Sequence, residues 1–265
     1  MKKKKVKNVS GTGEWCVKGL NCVTGCSHDC LYCYARNFAK RFHRVRRDEW
    51  RVMKVREDVL RKHYRQYNGP VMFPTTHDIT PEVLGPCMRL VGKLVEAGNR
   101  LLLVSKPHIE CVAAICEQFA AVRGQIKFRF SIGADDDDIL SFWEPFAPAY
   151  LERMACLQYA QAKGFATSIS IEPMLDSANI VRHVNALAPS VTDTIWLGMM
   201  NRIKANVEIE TVETLQSVIR ILDGQTDERI RGIYAELAGH PKIRWKDGIK
   251  KIMGLDRPAT TGLDV

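Results

Sequence analysis

The sequence predicts an α/β protein built as a partial (β/α)6 barrel of the TIM type, and three observations carry that expectation. Short apolar runs alternate with helical patterns along most of the chain. Several of those runs are apolar almost without interruption, as strands covered on both faces must be. About six strand–helix units can be traced, too few for a closed eight-fold barrel. On the residues alone, a partial barrel and an open doubly wound sheet both remain open.

The elements follow in order. One strand is expected just before the loop that begins at Gly25. Further strands are expected at PVMFPT (70–75), RLLLVSK (100–106), IKFRFSIG (126–133), ATSISIEP (166–173) and TIWLGMM (194–200). Between them, residues 81–97 place Leu84, Cys87, Met88, Val91, Leu94 and Val95 at helical spacing, with Pro81 at the start and Gly98 after the end. Helices are likewise expected over 149–163, closing on Gly164, over 210–222, closing on Gly224, and over 177–187. Such alternation implies right-handed crossovers and a parallel sheet, with chemistry at the C-terminal strand ends. The run DDDD (135–138) reads as a hydrated loop. The organisation expected is a basic N-terminal tail (1–15), the barrel (16–225) and a C-terminal helical cap (226–265).

With 46% hydrophobic residues in 265, the chain can bury a sizeable core. No apolar run is long enough to cross a bilayer, and the basic start MKKKKVKN leads into no apolar signal segment. A cytoplasmic location with no membrane partner is the expectation. The nine cysteines then read as metal ligands or small buried side chains and not as a disulfide framework. The net charge of +9 is concentrated: the first 65 residues hold 18 Lys and Arg against 6 Asp and Glu. That imbalance suggests an anionic partner; its plain alternative is a solvated tail and helix face.

The chemistry centres on GCSHDCLYCYAR (25–36). Cys26, Cys30 and Cys33 form C-x3-C-x2-C, three thiolates that hold a metal or cluster and leave a coordination position open. Structural zinc wants four closed ligands, and His28 is the available fourth, which makes a zinc knuckle the competing reading.

This loop, just after a first strand, resembles that of the radical S-adenosylmethionine (SAM) enzymes, and its wording is similar to their spore-photoproduct-lyase-like branch. TTHDITPE (75–82), VSKP (104–107) and the stretch 144–175 resemble that branch too. The resemblance implies a partial (β/α)6 barrel, a [4Fe–4S] cluster on Cys26, Cys30 and Cys33, and SAM as co-substrate. It also implies reductive cleavage of SAM to a 5′-deoxyadenosyl radical that abstracts hydrogen, with electrons from a flavodoxin or ferredoxin type of donor. Residue by residue, Tyr32 would shield the cluster or approach SAM, Thr76 and His77 would contact the SAM amino and carboxylate groups, and Lys106 would pair with the carboxylate. Ser131 would reach the ribose or carboxylate, and Glu172 and Asn201 the ribose and adenine side. One departure stands out. Thr75 occupies the place where the lyases carry the cysteine that returns a hydrogen atom, so thymine-dimer reversal itself is in doubt. Cys87, Cys111, Cys116 and Cys156 fall on helical patterns and read as core; Cys16 and Cys22, just before the cluster loop, either offer a spare thiol or, the better reading, are small buried side chains.

Residues 36–65 interleave arginines and lysines from Arg36 to Arg65 with Phe38, Phe42, Trp50 and Tyr64, the mixture a DNA or RNA surface needs. A helix covering the barrel would show the same spacing. HPKIRWKDGIKK (240–251) is a second basic stretch, expected in the cap. Three functions therefore compete: a radical SAM enzyme on nucleic acid, one on a peptide or small metabolite, and a non-catalytic zinc-knuckle nucleic-acid binder. The absence of any cysteine after Cys156 weighs against the cysteine-rich peptide-modifying type.

Overall fold

The computed structural model describes residues 9–42, 44–46 and 49–263. Its elements in chain order are β1 (Lys18–Gly19), β2 (Val23–Thr24), α1 (Tyr34–Arg41), β3 (Lys54–Val55), α2 (Glu57–Leu60), β4 (Val71–Phe73), α3 (Leu84–Glu96) and β5 (Leu101–Ser105). There follow α4 (Ile109–Gln118), β6 (Ile126–Ser131), α5 (Asp137–Trp143), α6 (Tyr150–Ala162), β7 (Ala166–Ile171), α7 (Ile180–Leu187) and β8 (Ile195–Leu197). The last are α8 (Ile203–Asn206), α9 (Val212–Gly224), α10 (Asp227–Leu237), β9 (Ile243–Trp245) and α11 (Asp247–Met253).

Seven strands form one wholly parallel, curled sheet in the order β1-β4-β5-β6-β7-β8-β9. Spatial order equals chain order, with no point at which it reverses. A doubly wound sheet requires such a reversal, so the winding is that of an incomplete barrel. β2 and β3 pair separately as an antiparallel ribbon within the long excursion between β1 and β4.

The strand period of two divides the side chains cleanly. Val71, Phe73, Leu101, Leu103, Phe128, Phe130, Ile169 and Ile195 join the main core against the helices, together with Cys87, Leu90, Val91, Leu94 and Cys156. Their neighbours Met72, Leu102 and Trp196 point to the other face, where they meet Trp15 and Cys16. That inner face is polar in places: Arg129, fully buried, lies over the rings of Trp15 and Trp196 at 4.5 and 5.2 Å and donates to Ser168 Oγ.

Three sequence expectations change. Residues 1–8 of the expected tail lie outside the described residues, but the rest of it is built into the fold: a short 3-10 turn spans Gly11–Glu14, and Glu14 and Trp15 are buried. Trp15 is large and apolar and Glu14 finds Lys246 at 2.9 Å, so this segment gains more by burial than by solvation. The expected helical cap contains α10 and α11, but between them Ile243–Trp245 adds a seventh parallel strand beside β8. The DDDD run is not a loose loop: Asp136 caps α5 by accepting from the Asp138 and Ile139 amides, and Asp135 pairs with Arg182.

Candidate cluster and cofactor cavity

The cysteine loop is tied at each point where it turns. Gly25 has φ +96°, and a Cβ there would lie 2.5 Å from the Val52 carbonyl oxygen, so only glycine fits. The Cys26 amide donates to the Trp50 carbonyl, and the Leu31 amide to that of Trp143. Asp29, also left-handed, pairs with Arg36 at 2.7 Å. Cys33 caps α1, its sulfur accepting from the Arg36 amide, so it sits at the positive end of a helix.

Cys26, Cys30 and Cys33, together with Tyr32, Thr76, His77, Lys106, Ser131, Glu172 and Asn201, all line one cavity of about 460 Å³. The strands deliver them from one end: residues 75–78 follow β4, Lys106 follows β5, Ser131 ends β6, Glu172 follows β7 and Asn201 follows β8. Every residue nominated from the sequence is therefore brought together at the C-terminal mouth of the sheet.

Asp78, which the sequence reading passed over, is the hub. Its carboxylate accepts from Ser105 Oγ at 3.0 Å, the Lys106 amide at 2.8 Å and His28 Nδ1 at 2.9 Å, and it stands 3.5 Å from Lys106 Nζ. Burial alone would raise its pKa; Lys106 and then His28 outweigh burial and hold it well below the usual carboxylate range. Burial likewise works against the charge of Lys106, but Asp78 and the groups around it hold the ammonium well above its ordinary value. Lys106 thus enters the cavity already paired. Tyr32 donates its hydroxyl to Glu144, which is bonded in turn to Arg153 at 2.6 Å. His77 turns its ring onto the edge of Phe73 and binds the Asp78 carbonyl through Nδ1. Thr75 and Thr76 are fixed by Asn21, whose Oδ1 accepts from both amides. Glu172 stands 3.7 Å from Lys246, and burial raises its pKa despite that lysine.

A zinc ion bound tetrahedrally at 2.3 Å draws its sulfurs to about 3.8 Å from one another. Among the described residues, the group whose ligand atoms lie within 4.8 Å of one another is Cys26, His28 and Asp78, not the three cysteines. The three cysteines line the same cavity. His28 does not serve as a fourth ligand to them, because Nδ1 is committed to Asp78 and Nε2 to His108 at 2.8 Å. In this arrangement the three cysteines and His28 are not gathered as the four ligands of a zinc knuckle. Burial raises the pKa of all three thiols, that of Cys30 to about 12, so a cationic group is what would convert them to thiolates. Cys16 and Cys22 are buried elsewhere and do not line the cavity.

No family model matches the sequence. The chain is similar to the uncharacterized protein ORF301 of Acidianus two-tailed virus, at 23% identity over 247 residues that cover 86% of this chain and 81% of the relative. Among solved structures it is similar to spore photoproduct lyase complexed with dinucleoside spore photoproduct: TM-score 0.55, 14% identity, covering 92% of this chain and 79% of that one. A double mutant of the same lyase with bound AdoMet and dinucleoside spore photoproduct aligns with TM-score 0.53 and 13% identity over the same shares of the two chains. The chain therefore has the fold of spore photoproduct lyase, the branch that its cysteine loop resembles.

Proposed function

We propose that this chain is a radical SAM enzyme of the spore-photoproduct-lyase-like type, acting on a nucleic acid. The observation that carries the reading is the single cavity at the C-terminal mouth of the sheet, lined by the three loop cysteines together with Lys106, Thr76, Ser131, Glu172 and Asn201. Cys26, Cys30 and Cys33 would hold a [4Fe–4S] cluster through three of its four irons. Bound there and reduced by an external electron donor, such a cluster would supply the one electron that splits the sulfonium of SAM into methionine and a 5′-deoxyadenosyl radical.

The chain's own residues have definite tasks. Lys106, set by Asp78, presents a fixed positive charge to the SAM carboxylate. Tyr32, held by Glu144, closes one wall beside the cluster loop. Glu172 and Asn201 face the adenosine side. Trp15, Met72 and Val104 make the inner wall apolar, which keeps bulk water out and strengthens the charge contacts inside the cavity. Thr75 lines the cavity where a lyase carries its thiol, and its hydroxyl is bonded to Asn21. An aliphatic hydroxyl O–H is too strong to serve as hydrogen donor, so we infer that the reaction is not dimer reversal with return of hydrogen from this position. The substrate reading rests on the basic segment from Arg36 to Arg65, within which Arg47 lies outside the described residues.

Anaerobic reconstitution with iron and sulfide tests the reading. The protein should turn brown, cleave SAM under reduction, and lose both properties in Cys30→Ala. A colourless protein that holds one zinc and leaves SAM intact would end it. Mass analysis after incubation with DNA, RNA or peptide separates the substrate classes.

A further inference from the structure

The cavity leaves unexplained a row of aromatic rings that starts at its rim. Tyr34 and Phe38 on α1 and Phe42 at its C-cap recur every fourth residue, so they share one face of the helix. A helix laid over the barrel would bury that face. Here the buried positions are Ala35 and Ala39, and each of the three rings is 52% exposed. Phe38 and Phe42 lie with ring centroids 4.6 Å apart, and the Arg44 guanidinium stands over both, at 5.5 and 5.7 Å. Tyr34 lines the cavity itself and donates its hydroxyl to the Thr75 carbonyl. The row thus leads from the cluster loop outward, with a cation at its far end.

Charge selects what would cover these rings. Residues 34–65 hold 12 Lys and Arg against 4 Asp and Glu, and Lys40, paired with Glu208, and Arg41 close the same helix. A polyanion that also offers flat π faces satisfies both features. A duplex keeps its base faces stacked inside; unpaired bases present them, and stack on aromatic rings whatever their sequence.

We propose that the α1 face is a stacking track for the unpaired bases of a single-stranded nucleic acid. Phe38, Phe42 and Arg44 receive the bases next to the one that enters the cavity past Tyr34. The proposal rests on the nucleic-acid reading given above and adds the strand state of the substrate.

The test is fluorescence anisotropy with the full chain, using a labelled thymidine oligomer and a labelled duplex of equal length over a range of salt. Wild type should bind the single strand more tightly. Phe38→Ala with Phe42→Ala should weaken single-strand binding by about thirtyfold or more. The slope of log affinity against log salt should stay unchanged, because no phosphate contact is lost. Phe38→Trp with Phe42→Trp should restore binding, and both variants should melt with wild type since the rings are half exposed. Equal affinity for duplex, or an alanine variant that binds as wild type does, overturns the track while leaving the nucleic-acid substrate standing. Failure of wild type to bind either form overturns both.

Discussion

The pairing of Lys106 with Asp78 gives a test that needs no cofactor. Both side chains are only 12% exposed, and 3.5 Å separates the ammonium from the carboxylate. At an effective dielectric of 20, that distance corresponds to an attraction of about 5 kcal/mol. Removing one partner of such a pair leaves the other buried and uncompensated, typically at 3–5 kcal/mol. Asp78→Asn and Lys106→Met should therefore each destabilise the unloaded chain by about 3 kcal/mol. The double variant should cost clearly less than the two together, because neither orphan charge then remains; a coupling of roughly 2–3 kcal/mol is expected. Urea melts followed by far-ultraviolet circular dichroism supply the four free energies. His28 keeps its bond to Asp78 in Lys106→Met, so the single losses need not be equal. Strictly additive losses would refute the idea that the two charges act as one unit.

Other outcomes follow from separate parts of the molecule. Gly25→Ala should lower the melting temperature and prevent cluster loading, since its Cβ would meet the Trp50 and Val52 carbonyls at 2.7 and 2.5 Å; a variant that still turns brown would show that the loop yields. Burial holds the pKa of His183, whose Nε2 donates to the Ile132 carbonyl, below its ordinary value. The unfolded chain then takes up a proton near pH 6.5 that the folded chain refuses. Stability from this site is complete above that pH and falls below it, by at most about 1.4 kcal/mol per pH unit, so His183→Gln should narrow the difference in melting temperature between pH 7.5 and 5.5. Reversing Arg44 and Arg46 to glutamate should reduce the salt slope of nucleic-acid binding by about 1.5 and leave SAM cleavage intact. An unchanged slope would make those charges a solvated face.

What the sequence disclosed is the part governed by local pattern. β5 reads as LLLVS because both of its faces are covered, and no other element explains such a run. The three cysteines were visible through their C-x3-C-x2-C spacing, and Lys106 and Glu172 through the resemblance to the radical SAM enzymes, which sets such residues at strand ends. Asp78 was hidden. Its neighbours in TTHDITPE do not distinguish it; only the fold sets it between His28, Ser105 and Lys106. The bond of Tyr32 to Glu144 joins residues 112 positions apart, beyond any local periodicity. β9 was missed because three residues with an exposed Arg244 between two buried ones resemble a basic loop. Residues 9–15 were taken for a tail on the strength of the lysines before them, although Trp15 signalled burial.

That last segment sets the order in which the cavity is assembled. The Val9 amide donates to the Pro258 carbonyl, the Gly262 amide to that of Gly13, and Lys246 Nζ binds both Gly11 O and Glu14. Gly11, Thr12 and Trp15 line the cavity, so its floor waits for partners translated long after the cysteine loop. Lys246 comes 213 residues after Cys33, an interval of about 10–40 s on a ribosome adding 5–20 residues per second. For that interval the three thiols stand in an unfinished chamber. Until that floor arrives, the chain itself offers the three thiols no shelter.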